Sequence, residues 1–234
     1  MCGIVGYTGP NPALTRVIDG LRRLEYRGYD SAGVALASAA GAPLTVAKKA
    51  GKLANLEGIL TSEFEKAHGG IGHTRWATHG GPTDENAHPH LDDDGKLAVI
   101  HNGIIENYVE LRAELEKRGH KYKSETDTES VAHLLSDEFK KSGDLATAMR
   151  NVCKELRGSF TLLAIHADQP DRIVGARRNS PLVVGVGQGE NFLASDVSAF
   201  IAHTKKALEL GQDQVVEVTP GAVVVTDLDG KKIA

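Results

Sequence analysis

Two cysteines in 234 residues, Cys2 and Cys153, are too few for a disulfide framework, and both are read as reduced thiols in a cytoplasmic protein. No apolar run approaches the roughly 20 residues that a membrane span needs. The N-terminus also lacks the form of a secretory signal: it has no basic start, and Gly6, Gly9 and Pro10 interrupt its apolar stretch. Positive charge is not in excess, since 27 Lys and Arg face 31 Asp and Glu for a net charge of -4. That balance gives no electrostatic case for nucleic acid or an anionic membrane as partner. His-Glu-x-x-His and Cys-x-x-Cys are missing, and no carboxylate stands at a matching helical spacing. His88-Pro89-His90 and the pair His73 and His79 therefore remain histidine-rich stretches, and no metal is expected. The phosphate loops Gly-x-x-x-x-Gly-Lys-Ser/Thr and Gly-x-Gly-x-x-Gly are absent too. No nucleotide or other cofactor is expected.

What is present is an ordinary globular composition, 41% hydrophobic and 25% charged. Residues 2–8 read as a strand that ends at Gly9-Pro10. Asn11-Pro12 opens a helix on which Leu14, Val17, Ile18, Leu21 and Leu24 recur at helical spacing. Strand patterns follow at 33–37 and 44–49, then a short helix across 52–67 that contains Gly58. The stretch 69–89 holds five glycines among residues 69–81 and reads as loop after a strand at 71–75. Leu97–Ile100 is a strand, and helices are expected at 106–118, from 127 or 128 to 141, and at 145–156. From 159 onward short β-rich runs dominate, which indicates antiparallel sheet with helices packed outside it. Without repeats or a linker, the chain reads as one α+β domain over residues 1–234.

Chemistry concentrates in four places. Cys2 follows the initiator methionine, and trimming of Met1 would leave one residue with both a thiol and a free α-amine. The amine, with a pKa of about 7.7 to 8, can serve the thiol as base; the alternative is a small buried hydrophobe at the start of a strand. The segment His73-Thr74-Arg75-Trp76-Ala77-Thr78-His79-Gly80 holds the single tryptophan. Arg75 offers a planar fork for a carboxylate, or it is a surface charge. Asn102-Gly103 can supply an amide and a backbone N–H to an oxyanion, or form a tight turn. Asp127 stands at a helix start, where it either caps the helix or binds an ammonium group.

Taken together, several segments resemble one family. They are Met1 to Gly6, Tyr26-Arg27-Gly28-Tyr29-Asp30-Ser31, His73 to Gly80, His101 to Asn107, Ser124 to Glu129 and Gly189 to Asp196, in that order. The chain resembles, over essentially its whole length, the glutaminase domain of the glucosamine-6-phosphate synthases, which are glutamine amidotransferases with an N-terminal nucleophile. The resemblance implies the N-terminal-nucleophile hydrolase fold, a four-layer α/β/β/α sandwich of two antiparallel sheets, and hydrolysis of L-glutamine to glutamate and ammonia. It implies Cys2 as nucleophile with its α-amine as base once Met1 is gone, and Asn102 and Gly103 as oxyanion donors. Arg75 and Thr78 would hold the substrate carboxylate and Asp127 its ammonium. Trp76, His79 and Gly80 would line or shape the site, with Arg27 and His88 in support. It also implies that sugar-phosphate isomerase domains C-terminal to this segment use the ammonia, so the chain is read as part of a longer protein. A purine- or asparagine-pathway acceptor and a non-catalytic module with the same fold are the rival readings.

Overall fold

The computed structural model describes residues 2–77 and 80–233. In chain order its first strands are β1 (Gly3–Thr8), β2 (Ser31–Ala37), β3 (Thr45–Ala50), β4 (Gly69–Arg75), β5 (His90–Leu91) and β6 (Leu97–Ile105). They are followed by β7 (Gly158–His166), β8 (Ile173–Arg178), β9 (Val183–Val186), β10 (Asn191–Ala194), β11 (Ala207–Glu209), β12 (Gln214–Thr219) and β13 (Ala222–Asp227). The helices are α1 (Ala13–Leu24), α2 (Leu53–Glu57), α3 (Tyr108–Lys117), α4 (Thr128–Ser142) and α5 (Leu145–Glu155).

These strands form two antiparallel sheets. One has seven strands in the order β11-β9-β10-β1-β4-β2-β3, and the other six in the order β13-β12-β8-β7-β6-β5. Both faces of each sheet are covered, and the alternation along single strands shows how. On β6, Leu97 and Val99 face α4 and α5, whereas Ala98 and Ile100 join Leu163, Ile4, Ile71 and Leu193 in a core between the sheets. On β1, Val5 and Tyr7 face Val17 and Leu21 of α1, and Ile4 faces the other sheet. Period-two alternation with apolar residues on both faces is what a strand buried on both sides requires. The result is the expected four-layer α/β/β/α sandwich. Among the described residues, no helix is long and apolar enough to cross a membrane.

Local expectations differ from the structure at three points. The helix expected across 52–67 is two pieces: α2 stops at Gly58, and a separate 3-10 turn covers Ser62–Lys66. A helix interior disfavours glycine by about 1 kcal/mol, and here the chain turns instead. The short strands β5 and β11 had no pattern to announce them, since β5 has two residues and all three of β11 are exposed. Finally, β6 continues through Asn102 and Gly103 to Ile105, so this pair lies within a strand and is not a tight turn. Pairing with β7 from Leu97↔His166 to Ile105↔Gly158 overrides the local turn preference.

Candidate active site

Cys2 directly precedes β1, the middle strand of the seven-stranded sheet, while Asn102 and Gly103 lie on β6 of the opposite sheet. A cavity of about 300 Å³ opens where these strands meet. Cys2, Arg75, Trp76, Asn102, Gly103 and Asp127 line it, and Arg27 and His88 also reach its wall. Seven of the side chains expected from sequence, with Gly103, are thus brought to one place by the packing of the two sheets.

The Cys2 sulfur accepts a hydrogen bond from the Trp76 backbone N–H at 3.2 Å and lies 3.6 Å from the Trp76 carbonyl oxygen. Burial pushes the thiol pKa up, and the Trp76 N–H opposes this only in part. At neutral pH the thiol therefore keeps its proton, and attack on a carbonyl carbon needs a base to remove it. The Cys2 backbone carbonyl accepts from Asn102 Nδ2 at 2.8 Å, which ties Cys2 of one sheet to the amide of the other.

On the far side of that amide, Asn102 Oδ1 lies 2.9 Å from His73 Nε2, on β4. The orientation of the amide follows from these two contacts, with Nδ2 toward Cys2 and Oδ1 toward His73. Gly103, with φ of 128°, is in the region that favours glycine, and a Cβ there would stand 1.9 Å from the Ser159 carbonyl oxygen. Only glycine keeps this strand position while leaving the cavity side of the backbone open.

Arg75 ends β4 and is buried, and Nη1 and Nη2 donate to the carbonyls of Gly81 and Gly80 at 3.1 and 3.3 Å. The guanidinium thereby shapes the loop that follows it as well as lining the cavity. Gly80 itself has φ of 73°, and Asn86 packs against it. Trp76 is 49% exposed and meets Tyr29 edge-on, with ring centroids 5.4 Å apart. Thr78 and His79 lie outside the described residues, as does Met1.

Asp127 stands at the N-terminus of α4, yet its side chain makes no capping hydrogen bond. Its Oδ2 instead accepts from the Ile105 N–H at 2.8 Å, across to β6. Thr126-Asp127-Thr128-Glu129 has the form of a capping box, but Glu129 is redirected too. Glu129 accepts from the N–H groups of Lys123 and Ser124 at 2.8 and 2.7 Å, folding the preceding loop back onto the helix. Tertiary partners thus outcompete the local cap, and Asp127 is carried to the cavity wall. Arg27 Nη1 donates to the carbonyl and hydroxyl oxygens of Ser195 at 3.2 and 3.3 Å.

Sequence reasoning gave His88 a supporting part but no role to His73, His90 or His101, which stand with it behind this wall. His73 and His88 stack with centroids 4.2 Å apart, and His88 meets His90 edge-on at 4.7 Å. Thr128 Oγ1 lies 2.9 Å from His88 Nε2 and 3.0 Å from His101 Nδ1, and Thr126 Oγ1 lies 3.0 Å from His90 Nε2. Burial pushes His73 down to about 3 and holds His88 and His90 well below the ordinary histidine range. The one available signal was their crowding, five histidines between positions 73 and 101.

Known proteins resemble this chain over almost its whole length. The glutamine amidotransferase domain family matches residues 73–202. The chain is 66% identical over 231 residues to the glutamine–fructose-6-phosphate aminotransferase (isomerizing) of Streptomyces coelicolor, covering 98% of this chain and 37% of that protein. It is 51% identical over 234 residues to the protein of the same description from Aquifex aeolicus, covering 100% and 39% respectively. The chain thus spans less than two-fifths of the length of these relatives. Among solved structures, the glutamine phosphoribosylpyrophosphate amidotransferase of B. subtilis complexed with ADP and GMP is similar with a TM-score of 0.81 at 27% identity. That match covers 97% of this chain and 49% of the other.

Proposed function

Because the chain belongs to the glutamine amidotransferase domain family, we propose that Cys2, freed of Met1, hydrolyses the side-chain amide of L-glutamine, and that the ammonia serves amino-sugar synthesis. The observation that carries this reading is the join between the sheets, where Asn102 Nδ2 meets the Cys2 carbonyl at the cavity. The Cys2 α-amine takes the thiol proton as sulfur attacks the amide carbon. Asn102 Nδ2 and the Gly103 N–H stabilise the resulting oxyanion. Collapse of the tetrahedral adduct passes that proton to the departing nitrogen and leaves a thioester with ammonia. Water, activated by the same amine, then releases glutamate and restores the thiol. Arg75 with Thr78 binds the substrate carboxylate and Asp127 its ammonium. Trp76, His79 and Gly80 shape the pocket, and Arg27 and His88 support it.

The longer relatives are glutamine–fructose-6-phosphate aminotransferases. On this reading residues 1–234 form the glutaminase domain, and C-terminal isomerase domains receive the ammonia to convert fructose 6-phosphate to glucosamine 6-phosphate in the cytoplasm. Identity of 51% or more to those relatives supports this acceptor over a purine-pathway one, since a solved allosteric regulatory enzyme of purine biosynthesis is only 28% identical. The test is ammonia release from glutamine by protein whose intact mass shows Cys2 at the N-terminus, with Cys2→Ala as control. Release by the wild type alone is expected, and equal release by Cys2→Ala rejects the nucleophile.

A further inference from the structure

Away from the cavity, the fold gathers a set of metal donors that no sequence motif announces. Asp93 lies in the turn between β5 and β6, His120 follows Gly119 at the end of α3, and His133 is on α4. One donor atom from each lies within 4.8 Å of the other two. Asp93 Oδ2 is 2.7 Å from His120 Nδ1 and 3.6 Å from His133 Nδ1.

Two observations distinguish this cluster from an ordinary polar contact. His133 is 1% exposed, and neither of its ring nitrogens has a hydrogen-bond partner among the described residues. A neutral imidazole carries one donor and one lone pair, and burying both without partners is costly. Glu129 Oε1 is 4.0 Å from His133 Nε2, but that carboxylate is already engaged by the Lys123 and Ser124 N–H groups and the Ser124 hydroxyl. The second observation concerns His120. Its Nε2 lies 3.1 Å from Asp137 Oδ2, which also accepts from Arg118 Nη1 at 2.9 Å. A carboxylate that accepts from one ring nitrogen presents the lone pair of the other to a metal, the usual setting of a metal-bound histidine. At His120 that other nitrogen faces Asp93.

We propose that Asp93, His120 and His133 bind a divalent transition-metal ion of the zinc class, with water completing the coordination. Two imidazoles and a carboxylate suit zinc in type. Donors about 2.0–2.1 Å from a tetrahedral ion lie about 3.3 Å apart. Asp93 Oδ2, at 2.7 and 3.6 Å from the two imidazoles, already brackets that spacing, and binding requires only that His120, the less buried of the two histidines, draw closer to His133. The ion would tie the β5–β6 turn and the end of α3 to α4, whose first turn carries Asp127 and Thr128 to the cavity. Its role is to fix that helix, not to take part in the reaction of the thiol.

The test is titration of this chain with Zn²⁺ by calorimetry and with Co²⁺ by visible absorption, in a Cys2→Ala background so that the terminal thiol adds no binding. The expected result is one ion per chain, four-coordinate Co²⁺ bands, and a zinc-dependent rise in Tm. Asp93→Asn and His120→Asn are each expected to weaken binding at least tenfold, and Asp137→Asn about 10- to 100-fold. Asp93 is exposed and His120 partly buried, and circular dichroism verifies that their variants fold. Absence of stoichiometric binding overturns the proposal, as does binding that Asp93→Asn and His120→Asn leave unchanged.

Discussion

His73 Nε2 lies 2.9 Å from Asn102 Oδ1 and 3.0 Å from the His101 carbonyl oxygen. Both neighbours are acceptors, so Nε2 carries the proton and donates to the two together. The histidine, kept neutral by burial, thus sets which way the Asn102 amide faces. Asn102→Ala is expected to lower glutamine turnover about a hundredfold or more, because one oxyanion donor contributes about 2.7–4 kcal/mol. Its unfolding transition should move little. Full activity in this variant would remove Asn102 from the oxyanion site.

His73→Leu tests the orienting contact. It leaves two buried acceptors unpaired at a cost of about 1–3 kcal/mol, and it frees the amide to turn. The turnover number should fall while KM changes less, and His73→Gln, which still offers a donor, should recover part of the loss. Equal turnover in His73→Leu and wild type would show that Asn102 needs no such support.

The buried histidines also predict the pH dependence of stability. His73 is depressed to about 3 in the folded chain from an ordinary 6.5, and burial lowers His88 and His90 in the same direction. Below the ordinary value the unfolded chain binds protons that the folded chain does not, so folded stability falls as pH falls. The loss begins near 6.5 and, for His73, continues to about 3, with a slope of at most about 1.4 kcal/mol per pH unit from this group. Urea midpoints at about pH 7.5 and about pH 5.5 should differ accordingly. A His73 ring proton resonance that titrates near the ordinary histidine value would contradict the assignment.

Gly103→Ala places a methyl group 1.9 Å from the Ser159 carbonyl oxygen at a φ of 128°. Either β6 shifts against β7 or the strain persists, at about 1–3 kcal/mol. A methyl that close to a backbone carbonyl oxygen forces at least part of the shift, which displaces the backbone N–H from the proposed oxyanion position. A lower melting temperature and a large loss of turnover should therefore appear together, and a variant normal in both would exclude this backbone role.

Asp127→Asn separates charge from architecture. The amide oxygen can still accept from the Ile105 N–H, as Oδ2 does at 2.8 Å, so folding should be retained. The charge for the substrate ammonium is lost, and KM for glutamine should rise about tenfold or more, since a charge-assisted hydrogen bond contributes about 1.5–3 kcal/mol. An unchanged KM would leave Asp127 with a purely structural role.

Much of this molecule is legible in its sequence because apolar periodicity decides it. The α1 stripe of Val17, Ile18, Leu21 and Leu24 is buried as its spacing predicts, and most strands fall where β-rich runs stand. The layered arrangement was available only through family resemblance, since strand order depends on contacts far apart in the chain. Where local and tertiary preferences compete, the sequence misleads. Asn102-Gly103 has turn chemistry, but nine residues of pairing with β7 hold it extended. Asp127 has cap chemistry, but a bond to Ile105 draws it across to the sheet. His73 gave no sign of its partner, because Asn102 lies 29 residues further along the chain.

Cys2 and the Asn102-Gly103 pair, the proposed nucleophile and oxyanion donors, belong to different sheets, and the apolar layer that includes Ile4, Ile100, Leu163 and Leu193 sets the spacing between them. Catalysis is therefore a sensitive gauge of that layer. A substitution such as Leu163→Ala, far from any reacting atom, can let the sheets slip by a fraction of an ångström while each keeps its own hydrogen bonds. Secondary-structure signals would register nothing, and the reaction rate would register the slip first.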